Sequence, residues 1–187
     1  MAILYLNPAS ATTNTNWDET DVSFLRQGET SNTWQTTAST ASLLVTLDDF
    51  YNTGVASIDS VQVIIYGDYD ARSGSWAADV RIKDVGGTGY WNEIMTIPAG
   101  RTPSTVNGTV RTTSDGSTAW TDGDLDDMVL SLVSTNCTDK GQLIQFYLKV
   151  TYTEVTGYAN DVIGVATANI GKVNGVATAS INKVIGV

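Results

Sequence analysis

Few side chains in this 187-residue sequence could do chemistry. Histidine is absent, which removes the commonest general base and metal ligand. Cys137 is the single cysteine, so no intramolecular disulfide can form, and a thiol nucleophile without histidine is not expected. No G-x-S-x-G motif occurs to carry a serine nucleophile. We therefore expect neither enzymatic activity nor a cofactor.

An acidic cluster, DGDLDD at residues 122–127, is the one candidate metal site. Its alternating carboxylates, Asp122, Asp124 and Asp126, are typical of calcium loops, although the later glutamate of an EF-hand is missing. Thr121 ahead of acidic residues is equally typical of a helix start. We predict a capped helix here, with calcium binding as the alternative.

Aromatic side chains are the candidate ligand-binding groups. They could form a platform on which sugars stack, or they could plug the ends of a hydrophobic core. The candidates are Trp17, Trp34, Trp76, Trp91 and Trp120, with Tyr66, Tyr69, Tyr90 and Tyr158. In a fold without disulfides, large aromatic side chains more often plug the core. The sequence does not exclude sugar stacking, so both interpretations stay open.

The charge of the chain restricts its partners. Twenty Asp and Glu residues against ten Lys and Arg give a formal net charge of −10. The negative electrostatic field of this charge repels phosphate backbones and anionic lipid, so neither nucleic acid nor membrane is an expected partner. No apolar run approaches the roughly 20 residues of a membrane span. The apolar start at residues 1–6 lacks the basic region of a signal peptide and predicts a strand.

Alternation of apolar and polar residues is the dominant pattern along the chain. It is clearest at residues 142–152, and it recurs at 61–66, 78–83 and 128–133. Further strands are predicted at 1–6, 42–47, 91–97 and 105–113, with a tight hairpin at Asn107 and Gly108. Helical patterns are short, at 46–52 and 121–128. These elements predict an all-β, antiparallel β-sandwich of jelly-roll type over residues 1–155.

Residues 156–187 carry an 11-residue repeat. VIGVATANIGK (162–172) is followed by VNGVATASINK (173–183), with eight of eleven positions identical, and VIGV begins a third copy. Short repeats gain a core only by stacking on copies or partners. We predict an arm of short strands that dock on another chain, the alternative being a flexible tail. The predicted docking residues are Val162, Ile163, Val165, Ile170, Val173, Val176, Ile181, Val184, Ile185 and Val187.

Two segments resemble a known group of proteins. The stretch TAWTD at 118–122, with the strand IQFYLKVTY at 144–152, resembles β-sandwich domains of tailed-bacteriophage virion proteins. The repeat resembles the K-V-N-G-V-A-type terminal repeats of phage and marine-virus structural proteins. This resemblance implies a virion component, assembled in the host cytoplasm: a head decoration (cement) protein, a head fibre or a tail-associated adhesin. It supplies no catalytic residues.

The sequence therefore predicts a non-enzymatic virion structural protein, which decorates or stabilises a phage capsid and is anchored by its C-terminal repeats. Its expected partners are other capsid or fibre subunits and copies of itself, with a trimer as the expected oligomer. A carbohydrate- or receptor-binding module of a tail fibre or cell surface is the alternative. A hydrolase on the same scaffold would need two carboxylates in one cleft.

Overall fold

A computed structural model describes residues 1–28, 30, 33–38, 40–50, 54–70, 75–84, 89–100, 102–135, 137, 140–155, 172–173 and 176–177. Its strands are β1 (Ala2–Leu6), β2 (Pro8–Thr15), β3 (Trp34–Thr36), β4 (Ser42–Leu47), β5 (Val55–Tyr69), β6 (Ser75–Asp84), β7 (Gly89–Pro98), β8 (Ser104–Asn107), β9 (Met128–Thr135), β10 (Gly141–Glu154), β11 (Lys172–Val173) and β12 (Val176–Ala177). A 3-10 helix (Val22–Leu25) and one short helix, α1 (Asp122–Asp126), complete the described elements.

The strands form two five-stranded antiparallel sheets and one two-stranded ribbon. Sheet A has the order β1-β10-β5-β8, with β3 also pairing with β10, and sheet B has the order β2-β4-β9-β6-β7. From β1 to β10 the chain alternates between the two sheets, except at β6 and β7, which are consecutive in sheet B. The predicted antiparallel β-sandwich is therefore confirmed.

The core lies between the two sheets and follows the predicted alternation. On β10 the inward side chains Phe146, Leu148 and Val150 are fully buried, and their strand neighbours Lys149 and Thr151 are only half-buried. The inward residues of β5, β6 and β9 join the same cluster: Val61, Val63, Ile65, Ala78, Val80, Ile82, Met128, Leu130 and Leu132. Burial of one face of each strand is what a period-2 pattern predicts.

Two strands were not predicted, and two local predictions were wrong. β2 begins at Pro8 and is rich in Thr and Asn, while β3 has three residues, so neither shows a clear alternation. The predicted helix over residues 46–52 is wrong where the chain is described, because Thr46 and Leu47 belong to β4. The predicted hairpin at Asn107 and Gly108 is also wrong. The Gly108 N–H donates to the Val63 carbonyl, and Arg111 pairs with Val61, so the chain continues along the same edge of β5.

The predicted helix start at Thr121 is confirmed. The Thr121 side chain accepts a hydrogen bond from the Asp124 N–H, and the Asp124 carboxylate accepts one from the Thr121 N–H, which forms a capping box. Leu125 anchors α1 in the core, where it is 1% exposed. No helix in the described part of the chain is long and apolar enough to cross a membrane.

A close backbone approach fixes the β5–β10 pairing at Gly67. A Cβ atom at this position would collide with the Gln142 carbonyl oxygen and lie 3.5 Å from Leu143 Cα. Next to this contact β10 carries a register shift between Leu143 and Gln145. Glycine is therefore required here because two strands meet more closely than a side chain allows.

Replacement of Gly67 tests this packing. Gly67→Ala should lower the free energy of unfolding by about 1–3 kcal/mol, because the added methyl group has no space. Gly89→Ala is the matched control, since Gly89 also lies in a strand but a Cβ added to it would have no atom within 4 Å. Urea unfolding measures both variants. Equal stability of the two would contradict the close approach at Gly67.

Candidate functional site

Three tryptophans fill one end of the sandwich. The ring centroid of Trp17 lies 6.4 Å from that of Trp34 and 5.8 Å from that of Trp76. Trp34 and Trp76 are fully buried, and Trp17 is 8% exposed. Trp120 and Tyr69 are also buried, each at 4% exposure. For these residues the core-plug interpretation is confirmed, and a broad, exposed stacking platform is excluded.

A groove opens over the small exposed part of Trp17. It has a volume of about 350 Å³, and Asn16, Trp17, Asp18, Gln35, Thr36, Thr37 and Lys140 line it. Three separate segments contribute: the chain after β2, strand β3 with the residue that follows it, and the residue before β10. No sequence motif connects these segments, so the groove could not be recognised before the fold was known.

Hydrogen bonds between backbone and polar groups fix the positions of the groove residues. The Gln35 N–H donates to Asp18 Oδ1 over 2.7 Å, and the Asp18 N–H donates to the Gln35 carbonyl over 3.1 Å. Asn16 has a φ of 63°, in the left-handed region, and its Nδ2 donates to the Thr40 carbonyl over 2.8 Å. Asparagine adopts the left-handed conformation more readily than most residues, so the backbone geometry explains why an asparagine occupies position 16.

Charges of both signs lie at this end of the sandwich. Asp18 and Lys140 line the groove, and Asp68 lies beside it at the end of β5. Burial raises the pKa of Asp68, the neighbouring Asp70 raises it further, and Lys140 opposes both. The groove lining itself carries one negative and one positive side chain, so it has no net charge.

Unsatisfied polar atoms concentrate around the groove. In the described residues, five buried side-chain atoms make no hydrogen bond: Asn14 Oδ1, Trp17 Nε1, Asp68 Oδ1, Trp76 Nε1 and Ser104 Oγ. The strand registers place Asp68 and Ser104 at one end of sheet A, and Asn14 and Trp76 at one end of sheet B. The ring of Trp17 joins these two ends, because it contacts both Trp34 of β3 and Trp76 of β6. Such unpaired groups are costly, and a bound water, ion or ligand is one explanation for them.

A second pocket, of about 340 Å³, lies beside β6 and β7, and its lining includes none of the described residues with an unpaired buried polar atom. It is lined by Arg81, Lys83, Gly89, Tyr90, Trp91 and Asn92. The Arg111 guanidinium covers the Trp91 ring at 4.2 Å, and Arg81 donates to Asp79 over 2.6 Å. Tyr90 donates to Asp124 over 3.2 Å. Burial, with the Asp124 charge, raises the pKa of Tyr90 to about 12. We therefore take the Trp17 groove as the candidate site.

The carboxylates of the acidic cluster bind the protein's own donors. Asp124 caps α1 and accepts from Tyr90, while Asp126 Oδ1 accepts from the Phe50 N–H over 2.9 Å. No group of three or more Asp, Glu or Cys side chains in the described residues is placed to hold a metal ion. Asp124 and Asp126 thus serve helix capping and loop closure.

The docking residues predicted for the repeat arm lie outside the described residues, except for the backbone of Val173 and Val176. At these two residues β11 and β12 pair antiparallel, with Lys172 opposite Ala177 and Val173 opposite Val176. Tyr158 also lies outside the described residues, and Tyr66 and Trp91 are half-buried.

Calcium should have no specific effect on the fold. Because Asp124 and Asp126 already accept hydrogen bonds from the chain, binding an ion would cost those bonds. We expect the melting temperature in millimolar calcium to equal that in EDTA, and an Asp122→Asn variant to respond as the wild type does. A calcium-dependent rise of several degrees that Asp122→Asn abolishes would contradict this assignment.

No protein-family model matches the chain, and no curated protein matches it. Among solved structures, the chain is similar to the C-terminal CBM6 of LamC, a marine laminarinase from Zobellia galactanivorans. The two are 13% identical, the match covers 80% of this chain and 99% of that chain, and the TM-score is 0.45. It is similar to CBM35 from Cellvibrio japonicus Abf62, with 16% identity over 82% and 97% and a TM-score of 0.44. It also resembles the enzymatically active domain of bacteriophage CBA120 tailspike protein 4, with 11% identity over 80% of this chain, 19% of that chain and a TM-score of 0.44.

Proposed function

We propose that this chain is a non-catalytic carbohydrate-binding module that holds a neutral sugar in the Trp17 groove. The observation that carries the proposal is the lining of that groove. The small exposed part of Trp17 is surrounded by amide, hydroxyl and two oppositely charged side chains, at the end of the sandwich where buried polar groups of the described residues lack partners within the protein. This is the carbohydrate-binding alternative of the sequence analysis, and Trp17 is the only one of the described aromatic candidates that lines the groove.

The size and chemistry of the groove fit a sugar. Pockets for small ligands begin at roughly 300 Å³, so about 350 Å³ suits one or two sugar rings. Sugar hydroxyls both donate and accept hydrogen bonds, as do the side chains of Asn16, Gln35 and Thr37. The exposed part of Trp17 supplies an apolar contact for ring C–H groups.

The charges of the groove support a neutral ligand and a binding role. Asp18 and Lys140 balance each other, so the lining does not favour an anionic or a cationic sugar. Glycoside hydrolysis requires a pair of carboxyl groups across the bond that breaks. Among the lining residues Asp18 alone carries a carboxyl group, which supports binding without cleavage.

A glycan array followed by calorimetry on the best ligand tests the proposal. Gln35→Ala and Thr37→Ala should each weaken binding about five- to tenfold, the effect of one lost neutral hydrogen bond. Gln35 is half-buried and Thr37 is exposed, so folding should be unaffected. The matched controls are Asn92→Ala and Thr96→Ala, two exposed residues of β7. Absence of any glycan ligand, or equal losses in the controls, would overturn the proposal.

The capsid-decorating function is the second candidate, and the paired strands of the repeat favour it. β11 and β12 lie within the arm and are extended and paired, as expected of a segment that docks as strands. In this proposal the arm anchors the chain to a virion and the sandwich faces outward. Sedimentation with empty capsid shells that depends on the arm, without glycan binding, would favour decoration over carbohydrate binding.

A further inference from the structure

β1 is an edge strand without the usual protection against further pairing. In sheet A it pairs with β10 on one side, and no described strand pairs with its other side. Natural edge strands are commonly protected by charges or prolines. β7, the edge of sheet B, carries Glu93 and ends at Pro98, and β2 begins at Pro8. β1, with the sequence AILYL, has neither a charge nor a proline.

An apolar stripe accompanies the unpaired edge. Met1, Ile3 and Tyr5 alternate along the chain and are 90%, 52% and 37% exposed, so they lie on the outward face. Tyr5 packs edge-to-face against Tyr147 of β10, with ring centroids 5.6 Å apart. Tyr147 is itself only 8% exposed. Tyr5 and Tyr147 thus form the apolar part of this outward face, in which Thr151 lies opposite Ile3 and Lys149 lies opposite Tyr5.

The repeat arm leaves the sandwich next to this edge. Ala2 pairs with Tyr152, so the start of β1 lies beside the end of β10, from which residues 156–187 continue. The segment VATA recurs in both full repeats and contains small and β-branched residues that suit a strand on a flat sheet edge. Val176 and Ala177, which begin the second such segment, already form a strand.

We propose that β1 accepts the C-terminal repeat arm of a second copy of this chain as an additional strand of sheet A. Main-chain hydrogen bonds along the edge would provide the pairing, and the stripe of Met1, Ile3 and Tyr5 would be covered by repeat side chains. A second copy is the occupant because every described pair of strands is antiparallel, whereas the chain's own arm starts beside the first residue of β1 and would run parallel to it. The interaction does not involve the Trp17 groove and is independent of sugar binding.

Light scattering of the full-length chain over a concentration series tests this interface. We expect the mass to rise above that of one chain with concentration, and Ile3→Lys to raise the dissociation constant at least tenfold. Ile94→Lys is the matched control: Ile94 is 63% exposed on the other sheet and should leave association unchanged. A monomeric wild type, or association that survives Ile3→Lys, would overturn the proposal.

Disulfide trapping distinguishes the second copy from the chain's own arm. One tagged chain carries Ile3→Cys and a differently tagged chain carries Val165→Cys or Val176→Cys; Cys137 is buried and does not interfere. Cross-links between the two tags are the expected product for at least one arm position. If neither pair cross-links, while a chain carrying both substitutions closes only on itself, the arm of the same molecule is the occupant and the proposal is wrong.

Discussion

The long pairing of β5 with β10 is the interaction on which the rest of the structure depends. β10 pairs with β5 along its whole length on one side, and with β1 and β3 on the other, so it is the only described strand with three partners. Its inward residues Phe146, Leu148 and Val150 are fully buried against sheet B. With one cysteine no internal disulfide is possible, and hydrophobic burial has to provide the stability.

This arrangement brings the candidate groove together. Because the chain alternates between sheets, the end of β2, all of β3 and the start of β10 meet at one end of the sandwich. The five buried polar atoms of the described residues that lack a partner within the protein lie at that end, where a bound water or ligand would pair with them. Burial raises the pKa of Asp68, so the folded state holds the proton more tightly than the unfolded state, and stability falls as pH rises from the ordinary pKa through the raised one.

The core could be predicted from sequence because it depends on a local pattern. Alternation at 61–66, 78–83, 128–133 and 142–152 identified the inward residues of four strands, and Thr121 identified the cap of α1. The site could not be predicted in this way. Trp17 and Gln35 are 18 positions apart, and Lys140 is distant from both. No local sequence pattern indicates that these three residues lie close together in the folded chain. The aromatic residues left sugar stacking and core packing both open, and four of the five tryptophans, Trp17 among them, are buried.

The proposed pairing at β1 has to overcome a repulsion that the composition creates. Two copies that each carry a formal charge of −10 repel one another, and this repulsion normally keeps the chains apart. β1 carries no charged side chain, and the charged residue opposite it is Lys149 across from Tyr5, so the edge adds no local repulsion between carboxylates. Salt screens the long-range repulsion over roughly 8 Å at physiological ionic strength but leaves apolar burial intact. Association through β1 should therefore strengthen with added salt, opposite to the behaviour of an interface built on ion pairs.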